Sequence, residues 1–298
     1  MVEPDVLTAG FQEQRPRLRA VAYRMLGSLS EADDAVQDAW IRASAADSQD
    51  IENLGGWLTT IVTRVCLNML RARKQRREDP LDVHLPDPIV SAIGSADDTG
   101  NPEHEALVKD AVGLALMVVL DTLTPVERVA FVLHDTFAIS FEEIAPIIDR
   151  TPAATRQIAS RARRRVRAHA PAMEPNISRQ REVVNAFFAA ARNGDFDGLV
   201  AVLHPEIMFR LDGGIRHAGL TTVVSGANQV ASQAVMFGPS SPVMHPVLVN
   251  GAVGVVAVVA ARVRSVTGFT VAGGTIVAID ALFDPDRLRD IDFGRIAS

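Results

Sequence analysis

The sequence predicts a multidomain chain: two all-α helical units joined by a linker, then an α+β domain built on a curved antiparallel sheet. Three observations lead there. The 298 residues exceed what one core holds, since single cores stop growing near ~250 residues. Up to about residue 168 apolar side chains recur at intervals of three and four, the period of an amphipathic helix. Beyond about residue 203, Val- and Ile-rich runs bounded by Gly or Pro take over, which is strand grammar.

Composition narrows the class. With 48% hydrophobic residues and a net charge of −6, the chain is not intrinsically disordered. A single cysteine, Cys66, excludes a disulfide framework and any multi-cysteine zinc site, and it falls on an apolar stripe, as a core residue does. The start, MVEPDVLTAGFQEQRPRL, lacks a basic segment followed by an apolar run, so no secretory signal is expected and the cytoplasm is the expected location. The longest apolar stretch, residues 252–261, is too short to span a bilayer.

The elements follow in order. Leu18, Val21, Ala22, Met25 and Leu26 mark a first helix from about Arg17, broken by Gly27 and Ser28. Ser30 is the expected N-cap of a second helix, with Glu31, Asp33 and Asp34 in its first turn and Ala35, Val36, Ala39 and Trp40 on one stripe. A third helix carries Leu58, Ile61, Val62, Val65, Cys66 and Met69, and presents Thr60, Arg64, Asn68 and Arg71 on the opposite side. Residues 78–101, rich in Pro, Gly, Asp and Ser, read as a linker. Thr124-Pro125-Val126-Glu127 and Ser140-Phe141-Glu142-Glu143 are capping boxes that start helices, and Pro146 is expected inside the second of these. Thr151-Pro152 opens another helix that runs to about Ala168. Ala170-Pro171 and Met173-Glu174-Pro175 mark the next break. Then come helices around Phe187 and over residues 196–203, and strands over 207–211, 243–250, 252–263 and 275–283, with Asn250-Gly251 as a hairpin turn.

Charge is segregated along this chain. Residues 71–77, RARKQRR, hold five basic residues in seven, and residues 150–167 hold seven Arg and no acid. Residues 81–149 have two cations, Lys109 and Arg128, against thirteen Asp and Glu. Two separated basic blocks in an acidic chain point to two contacts with a polyanion. In the second block Thr155, Ile158, Ala159, Ala162 and Val166 form an inward stripe, while Arg156, Gln157, Ser160, Arg161 and Arg164 face out. After a short helix and a turn, this is the layout of a helix-turn-helix, and Arg and Gln are the side chains that pair bidentately with guanine and adenine edges. The first block, on one helix with Trp57, Thr60, Arg64 and Asn68, and including Arg71, Arg73 and Lys74, suits unstacked single-stranded bases, with cations for the backbone and an aromatic ring nearby.

Four ordered segments, ADDAVQDAWIRA (32–43), GGWLTTIVTRVCLNMLRARKQRR (55–77), LTPVERVAFVLHDTFAISFEEIA (123–145) and TPAATRQIASRARRRV (151–166), resemble the extracytoplasmic-function (ECF) sigma factors of RNA polymerase. The first two are similar to region 2 of that family and the last two to region 4. The resemblance implies that Asp34, Gln37, Asp38 and Trp40 lie on the helix facing the clamp helices of core RNA polymerase. It implies that Arg64, Asn68 and Arg71, with the surrounding Trp57, Arg73 and Lys74, lie on the helix that opens the minus-10 element; many relatives carry Asp at the position of Asn68. The helix of Arg156 would read the minus-35 element of promoter DNA.

The C-terminal part resembles the SnoaL or nuclear transport factor 2 (NTF2) domains fused to one subgroup of these factors. Three marks of that subgroup are present in altered form: His84-Leu85-Pro86-Asp87-Pro88 for WLPEP, Asp212-Gly213-Gly214 for DGGG, and Asp284-Pro285-Asp286-Arg287-Leu288 for NPDKL. The resemblance implies that the domain regulates the sigma module in cis through an intramolecular contact. The implied domains are sigma region 2 at 1–79, a linker at 80–106, sigma region 4 at 107–170, a short linker at 171–178 and a SnoaL-like domain at 179–298. Because SnoaL-like folds also form enzymes, a small-molecule ligand or catalysis in this domain is the rival reading. Its titratable candidates are His204, Asp212, Arg216, His217 and His245, but no spacing among them specifies a triad or a metal site. The expectation is a binding protein without catalytic residues, metal, cofactor or membrane partner.

Overall fold

A computed structural model gives the fold over residues 4–46, 51–76, 84–93, 102–109, 113–170, 173–237 and 243–293. Arg77 at the end of the first basic run, the linker positions 78–83 and 94–101, and Pro171 lie outside the described residues. The chain divides into two compact units, one of Met1–Pro80, Gly100–Asp110 and Val119–His169, the other of Leu81–Thr99, Ala111–Val118 and Ala170–Ser298.

The first unit is helical. Helix α1 (Pro4–Leu26) continues through Pro16, so it begins well before the Arg17 boundary expected from periodicity. Gly27, at φ 75°, ends it by donating to the Tyr23 carbonyl at 2.7 Å. Because the chain turns there, α2 (Leu29–Ser44) starts two residues earlier than a cap at Ser30 would place it. Its N-cap is Ser28, which accepts from the Glu31 N–H, and the expected cap Ser30 falls in the first turn. α1 packs on both α2 and α3 (Leu54–Arg76). Leu18, Val21, Met25, Ala35, Val36, Ala39, Leu58, Val62, Val65 and Cys66 are all buried, while Ile61 and Met69 are only half-buried. Burial pushes the Cys66 thiol up to about 12, so it is inert core.

Helix α4 (Pro102–Lys109) lies along α1; α5 (Leu114–Asp121), apolar nearly all round, contributes its last residues, from Val119 on, to this unit. Among the described residues of this unit two arginines are buried. Arg24 donates to the Leu107 carbonyl, and Arg128 donates to the Arg24 carbonyl and pairs with Asp121. Both expected capping boxes are formed, Thr124 with Glu127 opening α6 (Pro125–Phe131) and Ser140 with Glu143 opening α7 (Phe141–Ile144). Between them residues Val132–Thr136 form a π-helical turn. Pro146 is not inside α7, as expected, but just past it: the helix stops at Ile144, and Asp149 turns the chain with φ 55°. Thr151 then caps α8 (Pro152–His169), accepting from the Ala154 N–H at 3.2 Å.

In the second unit α9 (Ile177–Asn193), α10 (Phe196–Val202) and α11 (Ala227–Phe237) pack on a seven-stranded sheet. Its strands are β1 (Val90–Ser91), β2 (Leu203–Asp212), β3 (Thr222–Ser225), β4 (Val243–Val249), β5 (Ala252–Val259), β6 (Arg262–Ala272) and β7 (Thr275–Leu282), in the order β1-β4-β5-β6-β7-β2-β3. Phe187, Phe188 and Phe269 meet edge to face at the centre of its core. The Asn250-Gly251 hairpin joins β4 to β5, with both residues at positive φ. The single strand expected over 252–263 is two, β5 and the start of β6, turned by Ala260 and Ala261 at φ 50° and 57°. All neighbouring strands pair antiparallel except β2 and β7, which run parallel. The sheet ends in α12 (Pro285–Arg289).

Candidate nucleic-acid interface and linker clamp

The arginines of α8 divide into two sets. Thr155, Ile158, Ala159, Ala162 and Val166 are buried, which fixes the rotation of the helix and leaves Arg156, Gln157, Ser160, Arg161 and Arg164 exposed along its outer side. Arg163 and Arg165, in contrast, turn back to the unit, pairing with Asp135 and with Glu127 at 3.0 Å. Burial alone would raise the Glu127 carboxyl, but bonds from the Thr124 N–H and hydroxyl, with Arg165 and Arg161 nearby, lower it. The same carboxylate therefore caps α6 and anchors α8. A helix held this way presents a cationic, hydrogen-bonding edge of the size that a duplex major groove admits.

On α3, Arg64, Asn68, Arg71 and Lys74 are exposed and Trp57 and Thr60 half-buried. Trp57, Arg64, Asn68 and Arg71 fall on one stripe by helical spacing. Arg64 donates to the Pro146 carbonyl at 3.3 Å. Arg73 differs from these: it pairs with Glu31 of α2 and donates to the Leu26 carbonyl at 3.0 Å, so it ties the helices together. On α2, Asp34, Gln37 and Asp38 are exposed beside an exposed Ile41, and Trp40 is half-buried against Phe11 at 4.8 Å between ring centroids. An open groove between α2 and α3 is lined by Asp38, Arg42, Asn68 and Met69 among others.

The second unit holds a different kind of site, which joins three segments distant in sequence. Residues 85–90 are buried there. Asp212, at the end of β2 and 2% exposed, accepts from the Leu85 N–H at 2.9 Å and from Arg287 at 2.8 Å through Oδ2, and from the Gly214 N–H at 2.9 Å through Oδ1. Arg287 also donates through Nε to Asp87 at 2.6 Å and through Nη2 to the Leu85 carbonyl. Asp284 caps α12, which carries Arg287, by accepting from the Asp286 N–H at 2.9 Å. Further along, Asn250 bonds Ile89 in both directions, its N–H to the Ile89 carbonyl and its Oδ1 to the Ile89 N–H. Val90 and Ser91 then pair with Val249 and Leu248 as β1.

The linker is thus gripped by one guanidinium between two carboxylates, then by a strand edge. Pro86 and Pro88 fix two φ angles in that segment, which lowers the entropy cost of holding it. His84 is exposed, with Nδ1 3.9 Å from Asp212. Pro285 and Asp286 lie at the start of α12, and Asp286 pairs on the surface with Arg216 at 2.7 Å and Arg289 at 2.8 Å. Two members of this site, Arg287 and Asn250, carry roles beyond the motif and the turn in which the sequence shows them. Arg287 was visible as the cation of the 284–288 motif; nothing local distinguished the second role of Asn250. Asp212 hydrogen-bonds none of His204, His217 and His245, and both its oxygens are occupied. Among the described residues no cluster of His, Cys, Asp and Glu is placed to hold a metal ion, and no helix is long and apolar enough to cross a membrane.

Comparison with known proteins identifies the family. The sigma-70 region 2 family matches residues 11–77, which hold α2 and α3, and the sigma-70 region 4 family matches residues 113–166, which hold α6 to most of α8. The ECF RNA polymerase sigma factor SigJ of Mycobacterium tuberculosis is 35% identical over 292 residues, covering 93% of this chain and 91% of that protein. The chain belongs to the ECF sigma factor family. A second member, the probable ECF sigma factor SigI of M. tuberculosis, is 32% identical with 97% of each chain covered. The crystal structure of M. tuberculosis SigJ superposes on this ECF sigma factor with a TM-score of 0.74 and 34% identity, covering 95% of this chain and 99% of that one. The match therefore extends through the α+β domain as well as the helical part.

Proposed function

We propose that this ECF sigma factor recruits core RNA polymerase to particular promoters through three surfaces and is governed in cis by its SnoaL-like domain. Asp34, Gln37, Asp38 and Trp40 dock on the polymerase clamp helices, Trp57, Arg64, Asn68, Arg71 and Lys74 engage the opened minus-10 strand, and Arg156, Gln157, Ser160, Arg161 and Arg164 read the minus-35 duplex. Arg73 contributes charge to the second surface only at the expense of its pair with Glu31. The work is done where polymerase is, in the cytoplasm. The observation that carries the reading is the orientation of α8, whose buried stripe leaves five base- and phosphate-binding side chains exposed together.

Run-off transcription with core polymerase tests it. The full chain is expected to initiate at a cognate promoter only with core enzyme present, and R156A with R161A to weaken use of an intact minus-35 element. A residue bidentate to a base costs ~1–3 kcal/mol and relaxes specificity at one position, whereas a phosphate contact weakens all sequences alike and lowers the salt slope by about one. Equal activity of the double variant on such a promoter removes α8 from the reading.

The α3 surface makes a separate demand, because contacts to single-stranded bases act after docking. Replacing Arg64, Asn68 and Arg71 together by Ala is expected to spare holoenzyme assembly and impair strand opening, read by permanganate footprinting. Normal opening with lost assembly would reassign this face to polymerase.

The regulatory part of the proposal rests on the linker clamp. Residues 84–91 lie in the segment that joins region 2 to region 4, so a domain that holds them restrains how the two regions engage a promoter. A switch built this way needs different affinity for held and released linker, and ~1–3 kcal/mol of coupling is typical of such systems.

A further inference from the structure

We infer that Phe141 is a positioning residue for Arg156, stacking its guanidinium so that one arginine of α8 is ordered without losing charge or donors. The Arg156 guanidinium carbon lies 5.4 Å from the centroid of the Phe141 ring, over its face. Phe141 opens α7, the helix before α8, and is 9% exposed, so the ring is a fixed platform for an exposed side chain. The platform is braced from a third element. His134, in the π-helical turn, stacks on Phe141 with centroids 3.9 Å apart and planes 24° apart. Its Nδ1 lies 2.9 Å from the Ile139 carbonyl, which makes that nitrogen the donor and fixes the imidazole ring.

The chemistry of the contact separates Arg156 from its neighbours. Arg163 and Arg165 are ordered by carboxylates, which take guanidinium N–H groups and cancel the charge. An aromatic face acts on the flat side of the guanidinium instead. All five N–H donors lie in the guanidinium plane, so the fork that matches guanine O6 and N7 stays free while the side chain loses rotamers before DNA arrives. Arg156 has no carboxylate partner among the described residues. Arg156 is the α8 arginine with an aromatic platform, and Phe141 is the residue that pre-organises it for base reading.

This inference rests on α8 as the reader of duplex promoter DNA. The test is transcription by the full chain with core polymerase on a cognate promoter and on variants changed at single minus-35 positions, with F141M, F141Y, R156A and the double variant F141M/R156A. Methionine keeps apolar volume in the core and removes the ring face; tyrosine keeps the face. F141M is expected to reduce discrimination by roughly three- to tenfold at the one position that R156A relaxes, with little change elsewhere, no further loss in the double variant, and retention of discrimination by F141Y. A uniform loss at all positions, or an effect of F141M undiminished in the R156A background, would show that Phe141 serves only the fold and overturn the inference. Unchanged discrimination in R156A itself would overturn both the inference and the reading of α8 beneath it.

Discussion

Replacing Arg287 with methionine is expected to free residues 84–88 from the C-terminal unit while leaving the sheet folded. The guanidinium lies between Asp212 and Asp87, whose side chains are 3% and 7% exposed, and is itself 17% exposed. Two buried carboxylates share this one cation, with the Leu85 and Gly214 N–H groups as the other donors to Asp212. Removing one partner of a buried ion pair costs about 3–5 kcal/mol, because the desolvated charge left behind outweighs the lost contact. Relief comes most cheaply by releasing the linker, since Asp87 and Leu85 then regain water. Hydrogen exchange at the Leu85 amide, which donates to Asp212, is expected to rise roughly a hundredfold or more. The Ile89 amide, held separately by Asn250, should change less, and amides of β5 and β6 hardly at all. R216M removes an exposed pair with Asp286, worth at most ~1 kcal/mol, and is the control. Run-off transcription by R287M should differ several-fold from wild type, upward if a held linker restrains initiation and downward if it assists. Leu85 exchange unchanged from wild type would show that Arg287 does not hold the clamp.

The limits of the sequence show in which of these residues it singled out. The stripe of α8 and both capping boxes were legible because each depends on residues within four positions of one another. The Asn250-Gly251 turn was legible because its chemistry is carried by two adjacent residues that tolerate positive φ. The turn between β5 and β6 was not, since Ala260 and Ala261 occupy the same left-handed region without a glycine or asparagine to signal it. Pro146 misled because a proline near a capping box reads as a helix interrupter, whereas here it lies just past a helix of only four residues. The parallel pairing of β2 with β7 left no local trace, as register between strands some seventy residues apart is a property of the packed sheet. The clamp was half-legible. Its three segments stood out as motifs, but the bond from Arg287 to Asp87 spans 200 residues, and no spacing rule reaches that far. Arg73 shows the converse error, because a basic run looks uniform until packing assigns one member to an ion pair.

Gly214→Ala is expected to weaken the same clamp without replacing any of its charged groups. Gly214 has φ 63° and ψ −170°, in a region that only glycine occupies without strain of about 1–3 kcal/mol. A methyl group there would also overlap the carboxylate of Asp284. That carboxylate cannot simply swing away, since it caps α12 through the Asp286 N–H, and moving it shifts the helix that aims Arg287 at Asp87 and Asp212. Gly214 also donates to Asp212 at 2.9 Å, so backbone relaxation at this position disturbs the central acceptor too. The consequence is non-additivity. G214A and R287M should each lower the urea midpoint of the second unit and raise Leu85 exchange, but the double variant should lose much less than the sum, because groups in one network couple by ~0.5–3 kcal/mol. Gly273 has φ 56° with open space around its position, so G273A carries the backbone strain without the overlap and is expected to leave Leu85 exchange unchanged. If G214A behaves like G273A, or adds fully to R287M, then the glycine serves only its own turn and the clamp does not depend on how closely α12 approaches the end of β2.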